Sequence, residues 1–396
     1  RLWPGVALRD GRGRRPFALT TLVGSTVTLA MVGVACAAPS SGAATTVRPP
    51  VPSKQPPAPI FERVVATTTT TSPPIVSSTE AIVAGLDAVL ASWIGRAPVS
   101  GALVGVAVGS DVVWAGAGGT RPEGGVAVTV GDSVRIASVT KLFTAALVYQ
   151  YAEQGLINLD APLPRLRKLP DFPYDLGITV NQLLSHTSGL IDYHGTDIYR
   201  SDPAQVDDPL SAIRATLSEP LEVPPGTEHV YSSTNYLILG LLLEQVSGRT
   251  YDQLLQRVFL GPLDLDDTVH HPASLGQPNF STGGIETSIE DLLAIGTAIL
   301  RDHTGFSEAS YNLMTAINAT SGAGAGAFGY CPCTIDQAGN AGFFAVGHTG
   351  GTTVLAYAKA LDMTIAVDLS ESLWEPGRWD AVVDLFRSIQ ALSFTA

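Results

Sequence analysis

The densest chemical signal in the chain is Ser138-Val139-Thr140-Lys141, which opens the apolar run Leu142, Phe143, Ala145, Ala146, Leu147 and Val148. Three residues apart on a helix, a serine and a lysine share one face. A serine hydroxyl is a poor nucleophile until a neighbouring base takes its proton, and an ammonium cannot do that. Burial penalises the charged form of a lysine and frees the amine. The unpaired N–H groups and positive dipole end of a helix's first turn also favour a developing oxyanion. Of the lysines Lys54, Lys141, Lys168 and Lys359, only Lys141 enters a run that is apolar on all sides. The structural alternative is a lysine that snorkels or pairs with a carboxylate.

Two further segments carry polar groups into apolar surroundings. Tyr231-Ser232-Ser233-Thr234-Asn235-Tyr236 immediately precedes a hydrophobic helix and, taken alone, reads as a helix cap with anchoring tyrosines. Gly347-His348-Thr349-Gly350-Gly351 runs into the strand Thr352 to Tyr357, where glycines let a substrate backbone approach a strand edge. The order of the three, with Ser-x-x-Lys early, the tyrosine motif midway and the glycine-rich strand late, joins modest signals into one.

These motifs need elements to hold them. Ile82, Leu86, Val89, Leu90 and Trp93 recur at helical spacing from a Ser/Thr cluster near Thr79. Leu103 to Val108 and Val112 to Ala115, joined by Gly109-Ser110-Asp111, read as a hairpin; Val354 to Tyr357 and Met363 to Leu369 make a second. Trp379 to Ile389 reads as a closing helix, and a mostly helical stretch spans about 142 to 300. Within that stretch the helix Tyr236 to Val246 ends at Gly248, and Thr287-x-x-Glu290 is a capping box. The expected class is α+β: an antiparallel sheet flanked by terminal helices, with a helical subdomain inserted between the hairpins.

A net charge of -13 excludes a nucleic-acid surface, and a charged fraction of 15% beside 45% apolar residues describes an ordered globular protein. The basic residues Arg9, Arg12, Arg14 and Arg15 precede an uncharged apolar run from Phe17 to Ala35, so residues 1–36 read as an export signal. Arg14-Arg15-Pro16-Phe17 is similar to a twin-arginine signal, and Gly33-Val34-Ala35-Cys36 to a lipoprotein cleavage box with Cys36 as the lipidated residue. A plain cleaved signal or an uncleaved anchor are the other readings of that segment. Residues 37–78, rich in Pro, Thr, Ser and Ala, read as a tether, leaving residues 79–396 as the folded unit. With Cys36, Cys331 and Cys333 alone the chain has no disulfide framework, and no His/Cys/Asp/Glu cluster completes a metal site around the last two.

The three motifs together resemble the serine β-lactamase and penicillin-binding superfamily, in particular the branch of class C β-lactamases, serine D-alanyl-D-alanine carboxypeptidases and related esterases. Accessory stretches extend the resemblance over about Thr79 to Ala396: Gly155 to Asp160, Leu183-Leu184-Ser185-His186-Thr187-Ser188-Gly189-Leu190, Pro225-Gly226-Thr227 and Gly283-Gly284. The resemblance implies a β-lactamase/transpeptidase-like fold with Ser138 as nucleophile, and Lys141 and Tyr231 sharing the proton traffic of acylation and deacylation. It implies an oxyanion hole from the N–H groups of Ser138 and Gly351, and substrate contacts by Ser233, His348, Thr349 and Gly350. No metal or organic cofactor is implied. The expected substrates are small peptides, peptidoglycan stems, β-lactams or esters, met at the cell envelope or outside the cell, with membrane attachment through the N-terminus as one option.

Departures narrow the specificity. Ser233 stands where the family usually has Asn, removing an amide donor, and His348 replaces the usual lysine of β-lactamases. A neutral imidazole holds an anionic β-lactam less firmly than an ammonium. Val354 replaces a small residue and is expected to narrow that edge. His186 is read as structural, and His194, His229, His270, His271 and His303 as surface or loop residues. The expected activity is carboxypeptidase-like; an esterase or β-lactamase on the same fold and a catalytically idle penicillin-binding sensor are the rivals.

Overall fold

A computed structural model of the chain describes residues 76–273, 278–317, 323–330 and 345–392. The export segment, residues 37–75 of the tether, Cys36, Cys331 and Cys333 lie outside the described residues, and the last three tether residues, 76–78, belong to the first helix. Among those described, no helix is long and apolar enough to cross a membrane, and no group of three or more His, Cys, Asp or Glu is placed to hold a metal ion.

Helix α1 (Val76–Ile94) leads into β1 (Gly101–Val108) and β2 (Asp111–Gly119). The turn between them is two residues, Gly109-Ser110, because Asp111 already pairs with Val108; Gly109 takes φ +60° to make it. α1 starts ahead of the Ser/Thr cluster expected to cap it. Short β3 (Val134–Arg135), β4 (Val269–His270) and β5 (Ile285–Thr287) form a small antiparallel sheet in the order β3-β5-β4. The late strands β6 (Phe328–Tyr330), β7 (Ala345–Thr349), β8 (Thr353–Ala358) and β9 (Met363–Leu369) join the first hairpin as one antiparallel sheet in the order β2-β1-β9-β8-β7-β6. The expected helix over 379–389 is Arg378–Gln390.

Both faces of the large sheet are covered, which is why β1, β8 and β9 are buried along nearly their whole length rather than at alternate residues. One face buries Val104, Val106, Val354, Ile365 and Val367 against Leu86, Leu90 and Trp93 of α1 and Leu385, Phe386 and Ile389 of the closing helix. Trp93 Nε1 donates to the Ala381 carbonyl at 2.7 Å and ties the two terminal helices together. Val354 therefore packs away from the cleft, and the expectation that it narrows the cleft edge is wrong by one face of the sheet. The other face buries Leu103, Leu355 and Ala366 against α2 (Lys141–Glu153) and the helix Ile289–Gly296. That second helix is capped by Ser288, whose hydroxyl accepts the Asp291 N–H; Thr287 is the last residue of β5 and turns its hydroxyl to Thr268 at 2.7 Å. The N-cap expected at Thr287 is thus displaced by one residue to Ser288, without the reciprocal bond of a capping box, because the strand claims Thr287.

Candidate active site

Ser138 sits in a short 3-10 turn, Ala137–Thr140, which runs directly into α2. Three anchors fix that turn. Ile136 N–H donates to the Ile285 carbonyl at 3.1 Å, continuing the β3–β5 ladder, and the Thr353 hydroxyl donates to the Arg135 carbonyl at 3.1 Å. Gly350 supplies the third: a Cβ there would lie 2.1 Å from the Ile136 carbonyl oxygen, so only glycine lets the β7–β8 turn come this close. Ala137, immediately before the serine, holds φ +41°, a left-handed conformation that a non-glycine residue keeps only where its surroundings enforce it.

The Ser138 hydroxyl is approached from two sides. Lys141 Nζ donates to Ser138 Oγ at 2.9 Å, and the Tyr231 hydroxyl donates to the same Oγ at 2.9 Å. Lys141 is completely buried, and its other partner is the Thr282 carbonyl at 3.2 Å. Among the described residues it has no salt-bridge partner, which removes the ion-paired reading of this lysine. The rings of Tyr231 and Tyr236 lie 5.2 and 5.8 Å from Nζ and close off that side of the lysine. Ser138 is only partly covered and Tyr231 is 37% exposed, so the cluster opens to solvent on the hydroxyl side.

Tyr231 precedes the helix Ser233–Ser247, which is buried along most of its length and closes on a left-handed Gly248, as its sequence requires. Its first N–H, on Ser233, donates to Asp192 Oδ2 at 2.7 Å. Burial works to raise the Asp192 pKa, but hydrogen bonds from the His194 side chain, the Ser233 amide and the His194 amide overcome it and hold it down to about 2. This carboxylate at a helix N-terminus fixes the tyrosine motif. Sequence reasoning missed it, although Asp192 lies just beyond the accessory stretch Leu183 to Leu190.

The structure redistributes the expected substrate contacts. Thr349 and Gly351 remain accessible, and an added Cβ at Gly351 would meet nothing within 4 Å. Ser233 is 6% exposed. Gly350 spends its own N–H and carbonyl on Thr353, at 2.7 and 2.8 Å, and so shapes the site rather than binding through its backbone. His348 is 2% exposed, with its ring edge-on to Phe328 at 4.9 Å and Nδ1 donating to the Thr349 carbonyl at 2.8 Å. The expectation that His348 faces a substrate carboxylate is corrected: strand pairing turns it inward. His194 and His270 are likewise not isolated surface residues, being paired with Asp192 and Asp252.

Burial, with a further contribution from Lys141 and against the Thr349 hydrogen bond, pushes the His348 pKa down to about 3, so the imidazole is neutral in the folded state. The unfolded chain takes up this proton near pH 6.5 and the folded chain does not until about pH 3. Stability is therefore full above pH 6.5 and falls as pH drops, by about 1.4 kcal/mol per unit for one such histidine. Urea unfolding at pH 7 and pH 5 is expected to show a loss of roughly 2 kcal/mol from His348 alone, reduced in His348→Phe. The same pH dependence in parent and variant would refute the assignment.

A family model described as Beta-lactamase matches residues 81–378. The chain belongs to the beta-lactamase family. Within that family it is 32% identical over 179 residues to "Penicillin-binding protein 4" of Amycolatopsis lactamdurans, covering 44% of this chain and 45% of that protein. It is 30% identical over 135 residues to "Penicillin-binding protein 4*" of Bacillus subtilis (strain 168), covering 34% and 29%. The chain thus matches less than half the length of these relatives. Among solved structures it is similar to a D-stereospecific amidohydrolase from Streptomyces sp., with TM-score 0.59, 22% identity, and 76% and 97% of the two chains covered. It is also similar to the D-amino acid amidase from Ochrobactrum anthropi SV3, with TM-score 0.64, 18% identity, and 78% and 98% covered. These likenesses show that the α+β architecture of this chain is shared with those two proteins.

Proposed function

We propose that the protein is a serine hydrolase that forms an acyl-enzyme through Ser138, acting as a D-alanyl-D-alanine carboxypeptidase-like enzyme on peptide termini at the cell envelope. The observation that carries this is the convergence of Lys141 Nζ and the Tyr231 hydroxyl, each at 2.9 Å, on one serine oxygen. In this reading Ser138 Oγ attacks the acyl carbonyl while its proton passes into the Lys141–Tyr231 pair, which returns it to the leaving group. The N–H groups of Ser138 and Gly351 receive the oxyanion, and Gly350 sets their separation by pressing the β7–β8 turn onto Ile136. Water then repeats the attack on the ester. The intact cluster argues against the idle-sensor reading. Export through the N-terminal segment, and attachment through Cys36, belong to the same proposal.

A second reading, an amidase or esterase on small neutral substrates, is favoured by one specific observation. His348 is buried and neutral, so the third motif offers no cation to a substrate carboxylate. The D-specific amidases among the structural relatives agree with that alternative.

The test mixes the purified protein with a fluorescent penicillin and follows intact mass over time, beside a peptide ending in D-alanyl-D-alanine, a D-amino acid amide and a p-nitrophenyl ester. A lasting adduct with release of terminal D-alanine supports the carboxypeptidase reading. Rapid penicillin loss without an adduct means a β-lactamase, and amide or ester cleavage alone means the second reading. Silence with every substrate overturns both.

A further inference from the structure

We propose that His186 is the positioning residue of the site, holding the Tyr231 hydroxyl on Ser138 by gripping the chain on both sides of that tyrosine and stacking on its ring. The inference rests on the reading of Tyr231 as part of the proton-transfer pair. His186 lies in the loop after α3 (Val180–Leu184). Its carbonyl accepts the Val230 N–H at 2.8 Å, and its Nδ1 accepts the Ser232 N–H at 3.1 Å. One residue thus binds the N–H groups of the residues immediately before and after Tyr231. The imidazole also lies against the Tyr231 ring, with centroids 4.4 Å apart and planes 28° from parallel. Tyr236 stacks on the same imidazole at 5.1 Å, and its hydroxyl donates to the Leu184 carbonyl at 3.0 Å, so the platform is itself braced.

The backbone of His186 is held at φ +54°, a left-handed conformation that few non-glycine residues adopt, histidine being among those that do so more readily. The hydrogen bond to Ser232 needs a lone pair on Nδ1, so the imidazole must be neutral with its proton on Nε2. Burial, then the neighbouring Lys141, holds its pKa well below the ordinary value and keeps it so. Tyr231 reaches Ser138 from the far end of its ring, so a small tilt at Cβ moves the hydroxyl most. Misplacement of a reacting group by about 1 Å costs on the order of 100-fold in rate.

Two variants separate the contacts. His186→Asn keeps an acceptor near the position of Nδ1 and tolerates the left-handed backbone, but deletes the ring. His186→Phe keeps a ring and deletes the acceptor. Each is made in the full chain with Tyr231 intact and with Tyr231→Phe, thermal melting confirms folding, and kcat and KM are measured on p-nitrophenyl acetate. With Tyr231 present, His186→Asn is expected to lower kcat about 30- to 100-fold with KM changed less than about threefold. In the Tyr231→Phe background the same change is expected to cost less than about threefold, because the group being positioned is gone. Where turnover of Tyr231→Phe is too slow, the rate of Ser138 labelling by fluorescent penicillin, read by intact mass, replaces kcat; where His186→Asn does not fold, His186→Phe carries the cycle. Equal losses in both backgrounds, or a kcat within threefold of the parent, overturn the inference. Unchanged turnover in Tyr231→Phe alone would instead bring down the role of Tyr231.

Discussion

Ser138→Ala is expected to abolish both turnover and covalent labelling, with a fall in kcat of about 10⁴-fold or more on any acyl substrate the parent accepts. The size follows from the geometry. Every proton-handling contact in the cleft ends on Ser138 Oγ: Lys141 Nζ and the Tyr231 hydroxyl both donate to it at 2.9 Å. With the oxygen gone, the pair has no nucleophile to activate, and only binding and the N–H groups of the cleft remain. The fold should barely notice. Lys141 keeps the Thr282 carbonyl, the 3-10 turn keeps its anchors through Ile136 and Thr353, and the lost hydroxyl lies at the open side of the cluster. Kinetics beside intact-mass analysis and a melting curve decide the matter. Turnover within tenfold of the parent would overturn the acyl-enzyme mechanism.

Much of this site is legible in the amino-acid sequence, because its chemistry is local. Ser138 and Lys141 are three residues apart, and that spacing alone brings Nζ to Oγ once the segment winds into a helical turn. The second hairpin and the long helix from Ser233 are likewise readable, the one from its apolar strands and the other from an apolar run ending at Gly248. The inserted helical region follows from the length of polar-capped helices between the two hairpins.

What the sequence conceals depends on which face of a strand or which side of a loop a residue occupies. His348 and Val354 lie on paired strands, and a period of two decides whether each meets the cleft or the core; no local pattern distinguishes the faces of a sheet buried on both sides. The Thr282 carbonyl beside Lys141 and the Asp192 carboxylate under Ser233 are long-range contacts with no spacing rule behind them. The left-handed backbone at Ala137 and His186 is invisible for another reason: neither residue type advertises a positive φ as glycine does. Such positions are where sequence rules fail at sites held under strain.

Lys141→Met provides the sharpest separation between a lysine kept for chemistry and one kept for structure. Methionine nearly matches the length of the aliphatic stem and fits an apolar slot, so the comparison removes the amine while leaving the packing. If Lys141 were half of a buried ion pair, its loss would strand a charge and cost about 3 to 5 kcal/mol. No such partner exists among the described residues, and the side chain is fully buried. Removing an uncompensated buried amine relieves a desolvation cost, offset by the Thr282 carbonyl losing its donor, worth about 1 to 3 kcal/mol. The net expected change in unfolding free energy is therefore within about 1 kcal/mol. Activity should behave quite differently, with kcat falling about 10³-fold or more as the serine loses its base. A variant that keeps its kcat and loses more than about 3 kcal/mol would make Lys141 a structural residue and leave Tyr231 as the sole activator of Ser138.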